Sequence, residues 1–273
     1  MTEMWRFYDQ NHLRHWLSHR TNNPLKSQHL FDMGRFMAEQ PLYLQLRDQL
    51  MQRITSGDLP VGSRLPAERV LAESFNTTRI TLRQALAQLE SEGSIYRSNR
   101  RGWFVSSPRL TYEPVNDVSF THYVAEQGRV PRTEVLGIEK MQASISVATA
   151  LALHPGDEVY RLRRRRFADE RLVFVETIWL NPRYLPDIEQ QQFESLWKLL
   201  ADKYDIRLTR KQITITPTAL TGSVAAALGV NSGCPGLYIT RIGKTDDGAC
   251  IEFDEEFWLH DVLTISVSTQ ENH

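Results

Sequence analysis

Two groups of residues in this 273-residue chain have the types and spacing to recognise anions. The first is Thr78, Arg79, Thr81 and Arg83. Leu82, Ala85, Leu86 and Leu89 fall at i, i+3, i+4 and i+7, one apolar stripe of a helix. The four polar residues lie off that stripe, toward solvent near the helix start, where hydroxyls and guanidiniums reach phosphates and base edges of duplex DNA. Arg79 and Arg83 take the main roles, since arginine bonds guanine bidentately, with Thr78 and Thr81 as nearer donors. Arg69, one helix earlier, is placed for phosphate or groove. Arg100 and Arg101 sit at the tip of a predicted hairpin beside Gly102, whose lack of a side chain permits close approach to a minor groove.

The second group is the run Arg161 and Arg163–Arg166. On a strand, Tyr160, Leu162, Arg164 and Arg166 share one face and Arg161, Arg163 and Arg165 the other. The first face mixes apolar residues with two guanidiniums, the pattern of cations turned into a partly buried concave site. Such a pair suits a phosphate, phosphonate or carboxylate. The competing readings are a solvated edge, or ion pairs with the many local carboxylates.

Nothing in the chain has the spacing of a catalytic or metal constellation. Ser-His-Asp, Cys-His and Gly-rich phosphate-loop patterns are missing from the sequence, and His154 and His260 are isolated. Cys234 and Cys250, the two cysteines, read as reduced thiols. No cofactor and no metal are therefore expected. At 41% hydrophobic and 24% charged residues the composition is that of a globular protein of two ordinary domains. Without an 18-residue apolar run or an apolar N-terminal segment, the expectation is a cytoplasmic protein with no membrane partner. The net charge of −1 conceals an asymmetry: residues 41–107 carry nine Arg, no Lys and six acidic residues, whereas the remainder to the C-terminus is acidic overall.

The elements that must hold these residues follow from the same patterns. Residues 1–38 show no periodicity and read as a poorly ordered N-terminal extension. Pro41 opens a helix of about fifteen residues that stops before Gly57, and Pro66 opens a second with Val70, Leu71 and Phe75 inward. Asn76 and Thr77 form a turn, a third helix runs to about Glu92, and Gly93 ends it. Short strands at 95–97 and 103–105 flank the basic tip. Together 39–107 make a winged helix-turn-helix, 108–118 a linker, and 119–269 an α+β domain whose short turns ADERL and TDDGAC imply a largely antiparallel sheet.

Residues 41–106, through LPAER…LA…F…TRITLRQALAQLESEG…RRGWFV, resemble the winged-helix domain of the GntR family of bacterial transcription regulators. The resemblance places DNA contacts on Arg69, Thr78, Arg79, Thr81, Arg83 and Gly102, with Ile80 where many members have Thr. Residues 119–269, through SFTHYVAEQG, VYRLRRRRFADERL, VETIWLNP, SLWKLLADKYDI and IEFDEEFWLHD, resemble the UTRA effector domain of its HutC subfamily, which has a chorismate-lyase-like fold. It implies ligand contacts at Phe120, Thr121, Arg164, Arg166, Glu176, Ser195, Trp197, Glu252 and Trp258. Trp197 and Trp258 stand where sugar-phosphate sensors commonly have Tyr, and Asp254 where Ser is frequent. The resemblance thus implies a pocket with an anion end (Arg164, Arg166, Thr121, Ser195) and an acidic end (Glu176, Glu252, Asp254), suited to a zwitterion. FNTTRIT, RRGWFV and IEFDEEFWLHD look most like regulators of 2-aminoethylphosphonate degradation.

The expectation is a homodimeric repressor that binds an inverted-repeat operator in double-stranded DNA and responds to a small anionic or zwitterionic effector. The alternatives are a lyase-like enzyme using the C-terminal fold and a non-specific DNA-packaging protein. The first lacks a catalytic arrangement, and fold alone does not confer activity; the second fits poorly with an acidic domain twice the size of the basic one.

Overall fold

The computed structural model describes residues 40–98, 101–116 and 118–268. The N-terminal extension and Arg100 lie outside the described residues. The chain divides into a unit ending at Gln45 and one running from Leu46. Of the former, residues 40–45 are described; there the Pro41 carbonyl accepts the amide hydrogens of Leu44 and Gln45 and starts helix α1 (Leu42–Thr55).

Three helices and a hairpin follow one another in the order the sequence predicts. Leu46 and Leu50 bury one face of α1, which ends before Gly57 (φ +85°). Helix α2 (Glu68–Ser74) buries Leu71 and Ala72. Val70, expected inward, is exposed, because a seven-residue helix starting at Glu68 turns only Leu71 and Ala72 to the interior. Asn76 takes a positive φ in the turn, and helix α3 (Arg79–Ser91) buries Leu82, Ala85, Leu86 and Leu89 completely. Strands β1 (Ile95–Ser98) and β2 (Gly102–Val105) pair antiparallel, Ile95 opposite Val105 and Ser98 opposite Gly102.

The C-terminal part is built on a six-stranded sheet in the order β4-β5-β6-β9-β8-β7, antiparallel throughout. Its strands are β4 (Pro131–Gln142), β5 (Glu158–Ala168), β6 (Arg171–Leu180), β7 (Arg210–Leu220), β8 (Cys234–Lys244) and β9 (Cys250–Leu259). Helix α4 (Phe120–Glu126) precedes them, and α5 (Ile145–Leu151), α6 (Leu196–Tyr204) and α7 (Gly222–Leu228) connect strands of the sheet. Residues 110–112, read from sequence as linker, form β3 (Leu110–Tyr112), which pairs parallel with β10 (Leu263–Ile265).

Two apolar clusters flank the middle of one sheet face. Phe174 and Trp258 pack with Phe120 and Tyr123 of α4, Tyr112 of β3 and Leu263 of β10. Leu162 and Ile178 pack with Phe193 and with Leu196 and Leu200 of α6. Between them the sheet carries a belt of charge. The opposite face holds Val147 and Leu151 of α5 against Val159 and Phe253.

Candidate functional site

Register assembles that belt. Arg164 lies opposite Glu176, which lies opposite Glu256 on the next strand; one pleat along, Ile178, Asp254 and Arg241 are partners. Residues opposite one another across antiparallel strands share a face. A period of two therefore puts Arg164, Arg166, Glu176, Asp254, Glu256 and Arg241 on one side of the sheet. They line a cavity of about 90 Å³ closed by the N-terminal residues of α4 and α6. Nine of the ten residues expected for the pocket line it: Phe120, Thr121, Arg164, Arg166, Glu176, Ser195, Trp197, Glu252 and Asp254.

Trp258 does not. It lies one layer back, its ring stacked on Phe174 with centroids 3.9 Å apart, and its indole N–H donates to Glu256 Oε2 at 2.7 Å. Ser195 caps α6 by accepting from the Lys198 amide at 3.3 Å, so its hydroxyl already has a structural bond.

The acidic residues do not form a separate end. Glu176 Oε1 lies 2.7 Å from Arg164 Nε and accepts from Arg166 Nε, so it is the shared counter-ion of the arginine pair. Arg164 Nη1 donates to the Phe193 carbonyl at 3.0 Å and Arg166 Nη1 to Thr133 Oγ1 at 2.6 Å. Burial works against a charged Glu176, but the two guanidiniums outweigh it and hold its pKa below the usual carboxylate range. On the outer face of β5 the ion-pair alternative holds: Arg161 and Arg163 pair with Glu139, and Arg165 with Glu134.

Arg241, Glu256 and Tyr112 complete the cavity and were not anticipated. Arg241 Nη2 donates to the Tyr112 hydroxyl at 3.0 Å and lies 3.2 Å from Glu256 Oε1, while its Nη1 is 3.9 Å from Asp254 Oδ2. Arg241 shares its face of β8 with Ile239 and Gly243, the same apolar-plus-arginine alternation that marks Arg164, so its signal was present in the sequence. Asp254 is buried, and its Oδ1 has no hydrogen-bond partner among the described residues. Burial, reinforced by the Glu256 and Glu176 charges, pushes its pKa well above the ordinary value, which favours the neutral acid. Burial also raises Glu252, against the pull of Arg241. The guanidiniums of Arg164, Arg166 and Arg241 thus face the carboxylates of Glu176, Asp254 and Glu256 across the cavity. The carboxylates of Glu176, Asp254 and Glu256 approach within 4.8 Å of one another. Two of them are already bound to guanidiniums, so a divalent ion would compete with arginines for its ligands.

On the helical part, Thr78 caps α3: its hydroxyl accepts from the Thr81 amide at 3.2 Å and lies 3.0 Å from Thr81 Oγ1. Arg79 is exposed. Arg83 Nε donates to Glu68 Oε2 at 2.7 Å, and Glu68 Oε1 accepts the Trp103 indole N–H at 3.1 Å, so one carboxylate joins α2, α3 and β2. The hydrogen bond from Arg83, with that from Trp103, lowers the Glu68 pKa against its modest burial. Arg69 pairs with Glu73 along α2 at 2.9 Å, both side chains remaining largely exposed. Arg101 is exposed, with Cζ 5.1 Å from the Phe104 ring centroid. Gly102 has φ +98°, a conformation that favours glycine, and a Cβ there would come within 3.4 Å of Arg64 Nε.

The winged helix and the sheet domain touch through a buried contact. Arg171 Nη2 donates to Asp261 Oδ2 at 2.6 Å, and its guanidinium lies 3.9 Å from the Tyr96 ring centroid of β1. Gly93, at the end of α3, has φ +77°; a Cβ there would come 3.1 Å from Arg109 Nη2 and 3.3 Å from Asp261 Cβ.

Comparison with known proteins places both parts. The UTRA domain model matches residues 126–264, and the model of bacterial regulatory proteins of the gntR family matches residues 42–105. The uncharacterized HTH-type transcriptional regulator YihL of Escherichia coli (strain K12) is 29% identical over 229 residues, covering 81% of this chain and 95% of its own. The HTH-type transcriptional repressor NagR of Bacillus subtilis (strain 168) is 28% identical over 225 residues, covering 82% and 93%. The crystal structure of PhnF from Mycobacterium smegmatis superimposes with a TM-score of 0.59 at 26% identity, covering 83% of this chain and all of that one. Among the described residues, no helix is long and apolar enough to cross a membrane.

Proposed function

From the fact that this chain belongs to the gntR family of bacterial regulatory proteins and carries a UTRA domain, we propose that it is a homodimeric, cytoplasmic repressor released from its operator by a small organic anion. Gene regulation through DNA binding, rather than catalysis, is what its relatives are named for. The repressor sign rests on NagR. The observation that carries the ligand class is the convergence on one cavity of the buried Arg164 and Arg166 with the half-buried Arg241. A cavity of about 90 Å³ is well below the ~300 Å³ at which sites for drug-sized ligands begin, so the effector is small.

The buried Asp254 carboxyl supports a zwitterion. An ammonium group beside it would lower its pKa and gain a charged acceptor, while the anionic group takes the guanidiniums. A phosphonate or phosphate carrying an amine, such as 2-aminoethylphosphonate, has both features. Calorimetric titration of the full-length protein with 2-aminoethylphosphonate is expected to give one site per protomer. Absence of heat, with binding of a phosphorylated sugar instead, would remove this ligand and leave the regulator.

The domain boundaries proposed are 39–107 for the DNA-binding domain, 108–118 for the connector and 119–269 for the effector domain. Four residues separate β2 from β3, and Tyr112 of β3 bonds Arg241 inside the cavity. Ligand at Arg241 thus acts on the strand that leads directly to the wing. The Arg171–Tyr96 contact supplies a second link between the two parts. An effector that prefers one arrangement of these links changes operator affinity by that preference.

A further inference from the structure

The large apolar Ile80 of α3 has no role in the core. Leu82, Ala85, Leu86 and Leu89 are fully buried, whereas Ile80, in the first turn, is 74% exposed. At 100° per residue Ile80 lies roughly opposite the centre of the buried stripe. Gln84 and Ala87, both exposed, continue the same outward line. The outward line of α3 is therefore Ile80–Gln84–Ala87, with Arg79 and Arg83 to one side. Thr78 and Thr81 are engaged with each other and with the helix cap, so neither hydroxyl competes for the position Ile80 occupies.

In the major groove the one base feature that rewards an apolar side chain is the thymine C5-methyl group. A branched isoleucine also holds a well-defined rotamer on a helix, so little freedom is lost when it docks. On the reading that α3 enters the major groove, we propose that Ile80 is a base-reading residue that packs against a thymine methyl in each operator half-site. The flanking arginines then fix the helix on phosphates and guanines, and Ile80 adds discrimination for an A·T pair that no hydrogen bond supplies.

The test uses the full-length protein and operators selected from random duplex DNA. Each thymine of the selected half-site is replaced singly by deoxyuridine, which removes only the methyl group. For the unaltered protein, one position per half-site is expected to weaken binding about three- to fivefold, the worth of one buried methyl. For Ile80→Ala the same replacement should have no effect, while the melting temperature stays unchanged because the side chain is exposed. No thymine with a methyl effect, or an effect that persists in Ile80→Ala, overturns the proposal. A selection that enriches no sequence overturns the reading of α3 itself, and is distinguishable from both.

Discussion

Asp254 shows how the cavity holds a charge in reserve. Its raised pKa means that the folded protein keeps a proton at pH values where the unfolded chain has lost it. Stability contributed by this group therefore falls as pH rises from the ordinary Asp range through the raised folded value. Asp254→Asn removes that dependence. The variant is expected to melt a few degrees higher than the parent at pH 7.5, on the order of 1 kcal/mol, with the gap closing toward pH 4. Thermal melts across that range check it, and a lower melting temperature at pH 7.5 would show that the carboxylate is ionised and paired. Glu176 carries the opposite sign: two guanidiniums hold its pKa down, so its contribution is present at neutral pH and lost on acidification through its folded value.

At the scale of elements, β3 lies between the wing strand β2 and the cavity, and is the proposed route from one to the other. Its Tyr112 hydroxyl accepts from Arg241 while its backbone pairs with β10, so the strand spans the interval between cavity and wing. Tyr112→Phe keeps the ring packing and removes that bond. It is expected to leave operator affinity within about twofold and to reduce the effector-induced change about fivefold or more, the size of one hydrogen bond to a charged group. An unchanged effector response in mobility shifts would place the coupling elsewhere, as at the Arg171–Tyr96 contact. This strand was also the least legible element, because three residues of near-isolated strand have no periodicity and owe their conformation to a partner 153 positions away, Leu110 against Leu263. Helix α3 and the β5–β6 hairpin were legible for the opposite reason. Each has a long apolar repeat and a terminator in its own sequence, Gly93 for the helix and the Asp169–Glu170 turn for the hairpin. The alternation along β5 located Arg164 and Arg166, yet their counter-ion came from register between strands, which sequence spacing does not report.

For the whole molecule, an arginine-rich reader joined to an acidic sensor has a net charge of −1. Association with DNA must then depend on the local field of the winged helix rather than on total charge. Operator affinity is expected to fall roughly 10³-fold between 50 and 200 mM salt if a dimer makes about six phosphate contacts. Arg101→Ala should lower the slope of log Kd against log salt by about one per protomer without changing base preference. A slope unaffected by that change would remove the wing from the interface. Control of the winged helix by a small organic anion in the UTRA cavity, as proposed, is read out by fluorescence anisotropy of labelled operator DNA with the full-length protein. With 2-aminoethylphosphonate at saturation, the apparent Kd is predicted to rise at least tenfold. An unchanged Kd in the presence of ligand that calorimetry shows to be bound would rule that control out.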